Sequence, residues 1–148
     1  MDKRELMPTS EPYDSNNIFA KILRGEIPAH RVFEDDFALA FLDIMPQTPG
    51  HTLVIPKLAV RGVVDMPADA WGPFMTRVQT VAAAVRKGME AEGLNLRQYE
   101  GAAGGQTVFH LHFHILPRWA GEALRRHGDR MEKQDVLKEQ AMRIRAAF

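Results

Sequence analysis

The sequence predicts an α+β fold, a five-stranded and mostly antiparallel sheet with one long helix and a C-terminal helix. Three observations lead there. Short apolar, β-branched runs bounded by Pro, Gly, Asn or Asp occur between residues 31 and 57 and again between 94 and 116. One stretch after Pro67, and another closing the chain, instead repeat their apolar residues at helical spacing. Strands interrupted by a single long helix, without regular alternation, favour antiparallel neighbours over a doubly wound parallel sheet.

The elements follow in order. Residues 1–15 are polar and read as a flexible N-terminal lead-in, and residues 16–148 as a single domain that includes the C-terminal helix. Asn16 and Asn17 precede Ile18 to Arg24, with Gly25 and Pro28 beyond, so a capped short helix with a glycine stop is expected. Arg31 to Glu34 and Ala38 to Ile44 read as two strands turned by Asp35-Asp36. Pro46, Pro49 and Gly50 break the chain before a third strand, His51 to Lys57. The long helix must start between Pro67 and Pro73, because proline is tolerated only in a first turn. Phe74, Val78, Val81, Val85 and Met89 form its inward stripe, with Gly93 as its stop. Leu94 to Tyr99 is a fourth strand, and a glycine-rich loop leads to a fifth from about Thr107 to Leu116. Arg118 to Met131 reads as irregular, and Glu132 to Phe148 as an amphipathic helix with Val136, Ala141, Ile144 and Phe148 on one side.

Composition narrows the function classes. Nineteen basic residues balance nineteen acidic ones, so no basic surplus advertises a nucleic-acid or membrane surface. There is no cysteine, which removes disulfides, thiolate zinc sites and a cysteine nucleophile, and is compatible with a reducing cytoplasm. No run approaches the roughly 20 apolar residues of a membrane-spanning helix.

Three of the six histidines stand at alternate positions of the fifth strand, His110, His112 and His114. Strand side chains alternate between faces, so the three imidazoles share one face and Leu111, Phe113 and Ile115 the other. A single metal ion is a strained explanation, since the outer pair lie about 13 Å apart along a strand. Nucleophilic catalysis suits the row better: a neutral imidazole attacks with one nitrogen while the other donates its proton to an orienting acceptor. Gly104-Gly105-Gln106-Thr107 just upstream offers backbone amides, a side-chain amide and a hydroxyl, donors suited to holding a phosphate against the row. His30 and His127 match nothing and read as surface residues, and Trp71 and Trp119 as packing or dimer-contact aromatics.

His110 to Leu116 matches at every position the His-apolar-His-apolar-His-apolar-apolar signature of the histidine triad (HIT) family, which the chain resembles. The resemblance runs through Asn17-Ile18-Phe19, Gly25-Glu26-Ile27-Pro28, Phe33 to Asp36, Phe41-Leu42-Asp43-Ile44, Pro49-Gly50-His51 and Val54 to Lys57, covering roughly residues 16 to 121. It implies a HIT-like fold and a hydrolase or nucleotidyl transferase acting on a purine nucleotide conjugate, a phosphoramidate or dinucleoside polyphosphate. By this resemblance His112 is the nucleophile that attacks the α-phosphate, forming a nucleotidyl-histidine later hydrolysed by water. His114, Gln106 and Thr107 hold phosphate oxygens, and His110 and His51 support the row. Asp43 binds the ribose hydroxyls, while Ile18, Phe19, Ile22, Phe41 and Ile44 sandwich the base. The resemblance also implies a homodimer joined through the long helix and the last-but-one strand, and a mechanism needing neither metal nor other cofactor. Where many members carry an asparagine near the ribose or phosphate, this chain has Tyr99, which offers no amide. That departure favours a second reading, a nucleotide-binding or interaction module with weak or lost catalysis. The N-terminal half resembles the phosphoramidate hydrolase branch. Leu116 to Gly121 resembles the dinucleoside polyphosphate branch, so the leaving group stays open.

Overall fold

The computed structural model describes residues 11–148, and the first ten residues of the lead-in lie outside the described residues. Helix α1 (Ile18–Leu23) starts where expected: Asn17 is extended and its side chain accepts from the Ala20 amide at 2.9 Å. Gly25 ends it at φ +77°, a left-handed conformation that costs glycine nothing. Strands β1 (Arg31–Glu34) and β2 (Ala38–Leu42) form a hairpin. In its turn the Asp35 carboxylate accepts from the amides of Phe37 and Ala38, replacing the glycine that the sequence lacks there.

Strand β3 (Thr52–Pro56) is followed by helix α2 (Trp71–Gly88), with Pro73 in its first turn. The predicted α2 stripe is buried residue for residue. The stop is not the predicted one, however. The helix ends at Gly88, Glu90 turns the chain at φ +52°, and Gly93 opens strand β4 (Gly93–Arg97). Strand β5 (Phe113–Arg118) also begins later than expected. Before Phe113 the backbone finds no ladder partner, because the Leu111 amide donates to the Val60 carbonyl in the segment beyond β3.

Helix α3 (Gln134–Arg145) closes the chain with Leu137, Gln140, Ala141 and Ile144 buried. Leu137 therefore replaces Val136 in the predicted stripe, and Phe148 lies half exposed, stacked on Phe33. The inward face follows the tight i, i+4, i+7 spacing of residues 137, 141 and 144.

The sheet order is β1-β2-β3-β5-β4, and every neighbouring pair is antiparallel. Its two faces have separate cores. On one, Ala38, Ala40, Leu42, Val54 and Ile115 meet α2 and α3. Small alanines let the helices sit close, and α2 and α3 touch so tightly that a Cβ on Gly88 would lie 2.7 Å from the Arg143 carbonyl oxygen. On the other face, Phe19 and Ile22 of α1 pack on Leu39, Phe41, Leu53 and Ile55, a smaller cluster that leaves room beside it. No helix among the described residues is long and apolar enough to cross a membrane.

Candidate active site

The alternation read from the sequence sorts the central motif between these faces. Leu111, Phe113 and Ile115 pack into the helix-side core. His112 and His114 instead line a cavity of about 300 Å³ on the α1 side. Its walls are Ile18, Phe19, Ile22, Phe41 and Ile44, with Asp43 and Thr107 at the rim. Phe19 stands edge-on to the His112 ring at 4.9 Å between centroids, and to Phe41 at 5.4 Å. All the apolar positions singled out in the sequence thus converge on one slot. Ile27, Pro28, Met45, Leu53 and Val108 complete it. A second cavity of about 200 Å³ adjoins it across the two histidines, lined by Gln47, Tyr99, Gly105, Thr107 and His127. A larger groove of about 520 Å³ lies beside the first turn of α2 and contains no histidine.

Hydrogen-bond partners fix each imidazole's tautomer. A carbonyl only accepts, so His112, whose Nδ1 lies 2.7 Å from the His110 carbonyl oxygen, carries its proton on Nδ1. Its Nε2 keeps the lone pair. His110 donates through Nε2 to the Pro56 carbonyl at 2.8 Å, and its Nδ1 accepts from the Tyr13 hydroxyl at 2.6 Å. The Gln47 amide donates to His51 Nδ1 at 3.1 Å, which puts the His51 proton on Nε2. That proton goes to His114 Nδ1, 2.9 Å away, and leaves His114 with an Nε2–H donor on its far side.

Burial keeps all four rings neutral. Desolvation is the largest cause of each shift, pushing His51 to about 2, His114 to about 3 and His110 to about 4, and lowering His112 as well. Neighbouring imidazoles and Arg97 add to the effect at His51 and His114. The same desolvation raises Asp43, against the Met45 amide that its Oδ1 accepts at 2.9 Å. Asp43 Oδ2 lies 3.7 Å from His51 Nε2, but the His51 proton points to His114, so this is no ion pair.

Asp43, His51 and His114 also present one ligand atom each within 4.8 Å of one another, a spacing a metal ion could use. The tautomers oppose it. With Gln47 donating to Nδ1, His51 Nε2 holds a proton and offers no lone pair, and His114 Nδ1 is already accepting. A metal bound here would have to displace the Nε2 proton of His51 and its hydrogen bond to His114.

Two phosphate-holding expectations change. Gln106 is buried, with its Nε2 donating to the carbonyls of Arg61 and Val108 and its Oε1 accepting from the Gly101 amide. Both amide protons are spent on backbone carbonyls, one beside the loop and one in the segment after β3, so Gln106 ties the loop to that segment and faces neither cavity. The amides of Gly104, Gly105 and Gln106 likewise donate to Gly101 and Ala102 carbonyls. Tyr99 does reach the site, edge-on to His114 at 5.5 Å.

Besides Gln47 and the apolar residues that complete the slot, sequence reading missed two residues. Tyr13 lies in the presumed lead-in, yet it caps His110. His127, read as a surface residue, is exposed but lines both cavities, its ring perpendicular to His114 at 6.0 Å. Neither lies near the motif in sequence, so no local pattern signals them.

The comparisons with known proteins agree with this geometry. The family model described as HIT domain matches residues 24–121. The chain belongs to the HIT family. Among solved HIT structures, a Hit-like protein involved in cell-cycle regulation from Bartonella henselae is 49% identical with a TM-score of 0.86, covering 93% of this chain and 100% of that one. A hypothetical histidine triad nucleotide-binding protein from Sulfolobus tokodaii is 29% identical with a TM-score of 0.80, over 87% and 89% of the two chains. The adenylylsulfatase HINT3 of Arabidopsis thaliana is 37% identical over 131 residues, 84% of this chain and 66% of that protein. HIT membership supports a nucleotide-binding hydrolase or transferase activity in general terms.

Proposed function

We propose that the chain cleaves a purine nucleotide conjugate at its α-phosphorus, through a covalent nucleotidyl-histidine on His112. The observation that carries this reading is the His112 tautomer: Nδ1–H is tied to the His110 carbonyl, and burial holds the ring unprotonated. A neutral imidazole with a fixed lone pair on Nε2 is a nucleophile needing no separate base. The apolar slot takes the base, and Asp43 Oδ2 accepts from the ribose hydroxyls, which seats the α-phosphate at the two histidines. His112 Nε2 forms the N–P bond as the P–O or P–N bond to the leaving group breaks; a phosphate departs as an anion with that electron pair, and an amine departs with it after taking a proton from solvent. The Nδ1–H bond to the carbonyl bears the positive charge that develops on the ring. His114 Nε2–H and the Thr107 hydroxyl donate to the phosphoryl oxygens, whose charge they meet without reorganisation. Water then attacks phosphorus, gives up its proton, and returns the His112 lone pair as the nucleoside monophosphate leaves. The HIT relative named as an adenylylsulfatase supports an adenylyl group as the portion transferred.

The test is H112N with adenosine 5′-phosphoramidate and diadenosine polyphosphates. Turnover should drop by on the order of 10³-fold or more, as expected when a nucleophile is removed. Quench of the wild type with labelled substrate in alkaline denaturant, where an N–P bond survives, should recover a nucleotidyl-protein that H112N lacks. Undiminished turnover in H112N would reject the assignment. A second reading, nucleotide binding with weak catalysis, is favoured by the engaged Gln106 amide and by Tyr99 in the second cavity. Tight binding without turnover in the wild type would select it.

The same reading includes a homodimer. Strand β4 is one of the two outer strands of the sheet, and Leu96 on it is half exposed, an edge suited to continuation by a second copy. Sedimentation at micromolar concentration distinguishes dimer from monomer.

A further inference from the structure

We infer that the second cavity is the seat of the leaving group, that it selects leaving groups bearing tetrahedral oxyanions, and that His127 is the residue that selects them. This rests on the nucleotidyl-transfer reading above. The cavity adjoins the nucleotide slot across His112 and His114, so a group departing from a phosphorus seated at those rings has it as its nearest enclosed space. Its side chains are those of Gln47, Tyr99, Thr107 and three histidines, with no carboxylate among them. Such a lining donates hydrogen bonds and repels no anion.

The glycine loop is poorly placed to supply the donors, since the amides of Gly101, Gly104, Gly105 and Gln106 are engaged within it and the Gln106 side chain donates to the Arg61 and Val108 carbonyls. The opposite wall can. His127 lies on the irregular stretch between β5 and α3, and that stretch is fastened to the loop after Asp43 on both sides of it. The Arg125 amide donates to the Gln47 carbonyl and Glu132 to that of Ile44, both at 2.8 Å. The Gln47 side chain returns a bond to the Arg125 carbonyl, and the Arg125 guanidinium pairs with Glu132 at 3.3 Å. His127 is thereby held at the junction of the two cavities. An imidazole keeps at least one N–H in either charge state, so it can always donate there. A departing phosphate or sulfate carries off the electron pair of its P–O bond and spreads that charge over oxygens within reach of this donor. A departing amine has no such oxygens.

The experiment compares kcat/KM of the wild type, H127A and H127N on three substrates sharing the adenylyl group: diadenosine tetraphosphate, adenosine 5′-phosphosulfate and adenosine 5′-phosphoramidate. In H127A at least one oxyanion substrate should lose roughly tenfold or more relative to the phosphoramidate, the scale of one hydrogen bond to a charged group. Whichever substrate loses more identifies the anion, phosphate or sulfate. H127N keeps an N–H and should recover part of the loss. Parallel losses on all three, or none, overturn the inference. If the wild type cleaves none of them, the transfer reading has failed separately, and binding decides. H127A should then cut the preference for ATP over AMP by roughly tenfold, and an unchanged preference overturns the seat.

Discussion

Lowering the pH from 7.5 to 5 should remove a large share of the protein's stability, and the buried histidines are the reason. His51, His110 and His114 have native values of about 2, 4 and 3, against 6.5 in the unfolded chain. The native state therefore binds almost no proton at these rings at pH 5, while the unfolded state binds one at each. Because the folded values lie below the unfolded one, stability is full above pH 6.5. It is lost as the pH falls from there toward about 4, where His110 starts to protonate in place. At 1.5 units below 6.5 the loss is about 2 kcal/mol per ring, or about 6 kcal/mol for three. The coupling between His51 and His114 does not enter, since both are still neutral there. A domain typically has about 5–15 kcal/mol to lose. Asp43, raised by burial, works in the opposite sense. The carboxylates of Glu34, Asp35 and Glu132, held low by their partners, give way only below the usual carboxylate range. Urea midpoints at pH 7.5, 6 and 5 read the effect directly. A midpoint that stays flat across that range would refute the claim that these rings are buried and neutral.

Two further outcomes follow from single contacts. Asn17→Ala removes the cap of α1 and should cost about 1 kcal/mol; because that helix carries Phe19 and Ile22 into the base slot, KM for the nucleotide should rise more than kcat falls. An equal effect on both would separate the helix from binding. Gly88→Ala places a methyl 2.7 Å from the Arg143 carbonyl oxygen, where only backbone can move. Thermal melts should show a loss of about 1–3 kcal/mol from overpacking, and no loss would mean that α2 and α3 are farther apart.

Periodicity and punctuation carried most of the fold. Arg31–Glu34 came out to the residue, and the buried face of α2 did too, because alternation and the 3.6-residue repeat report which side a residue faces. They do not report whether the backbone finds a ladder partner, which is why the strand expected from Thr107 begins only at Phe113. The ends of α2 and the phase of α3 depended on tertiary contacts such as Gly88 against Arg143. At the site, the histidine row and its apolar slot were legible because each lies within a short, patterned segment. Tyr13 and His127 were not, since what brings them in is the path of irregular chain. Gln106 differed for the converse reason: a donor-rich residue beside the histidine row can spend its donors on nearby backbone carbonyls.

The ring of His112 is steadied by the main-chain oxygen of His110, two residues earlier on the same segment. Where a carboxylate side chain does this work, one substitution deletes it. A peptide oxygen is present whichever amino acid occupies position 110, so mutational drift around the proposed nucleophile leaves its orientation largely intact. On the nucleotidyl-transfer reading, copies of this gene that lose the activity should therefore lose it through residue 112 itself or through the walls of the slot. Copies diverging toward new substrates can change their surroundings without disarming the attack.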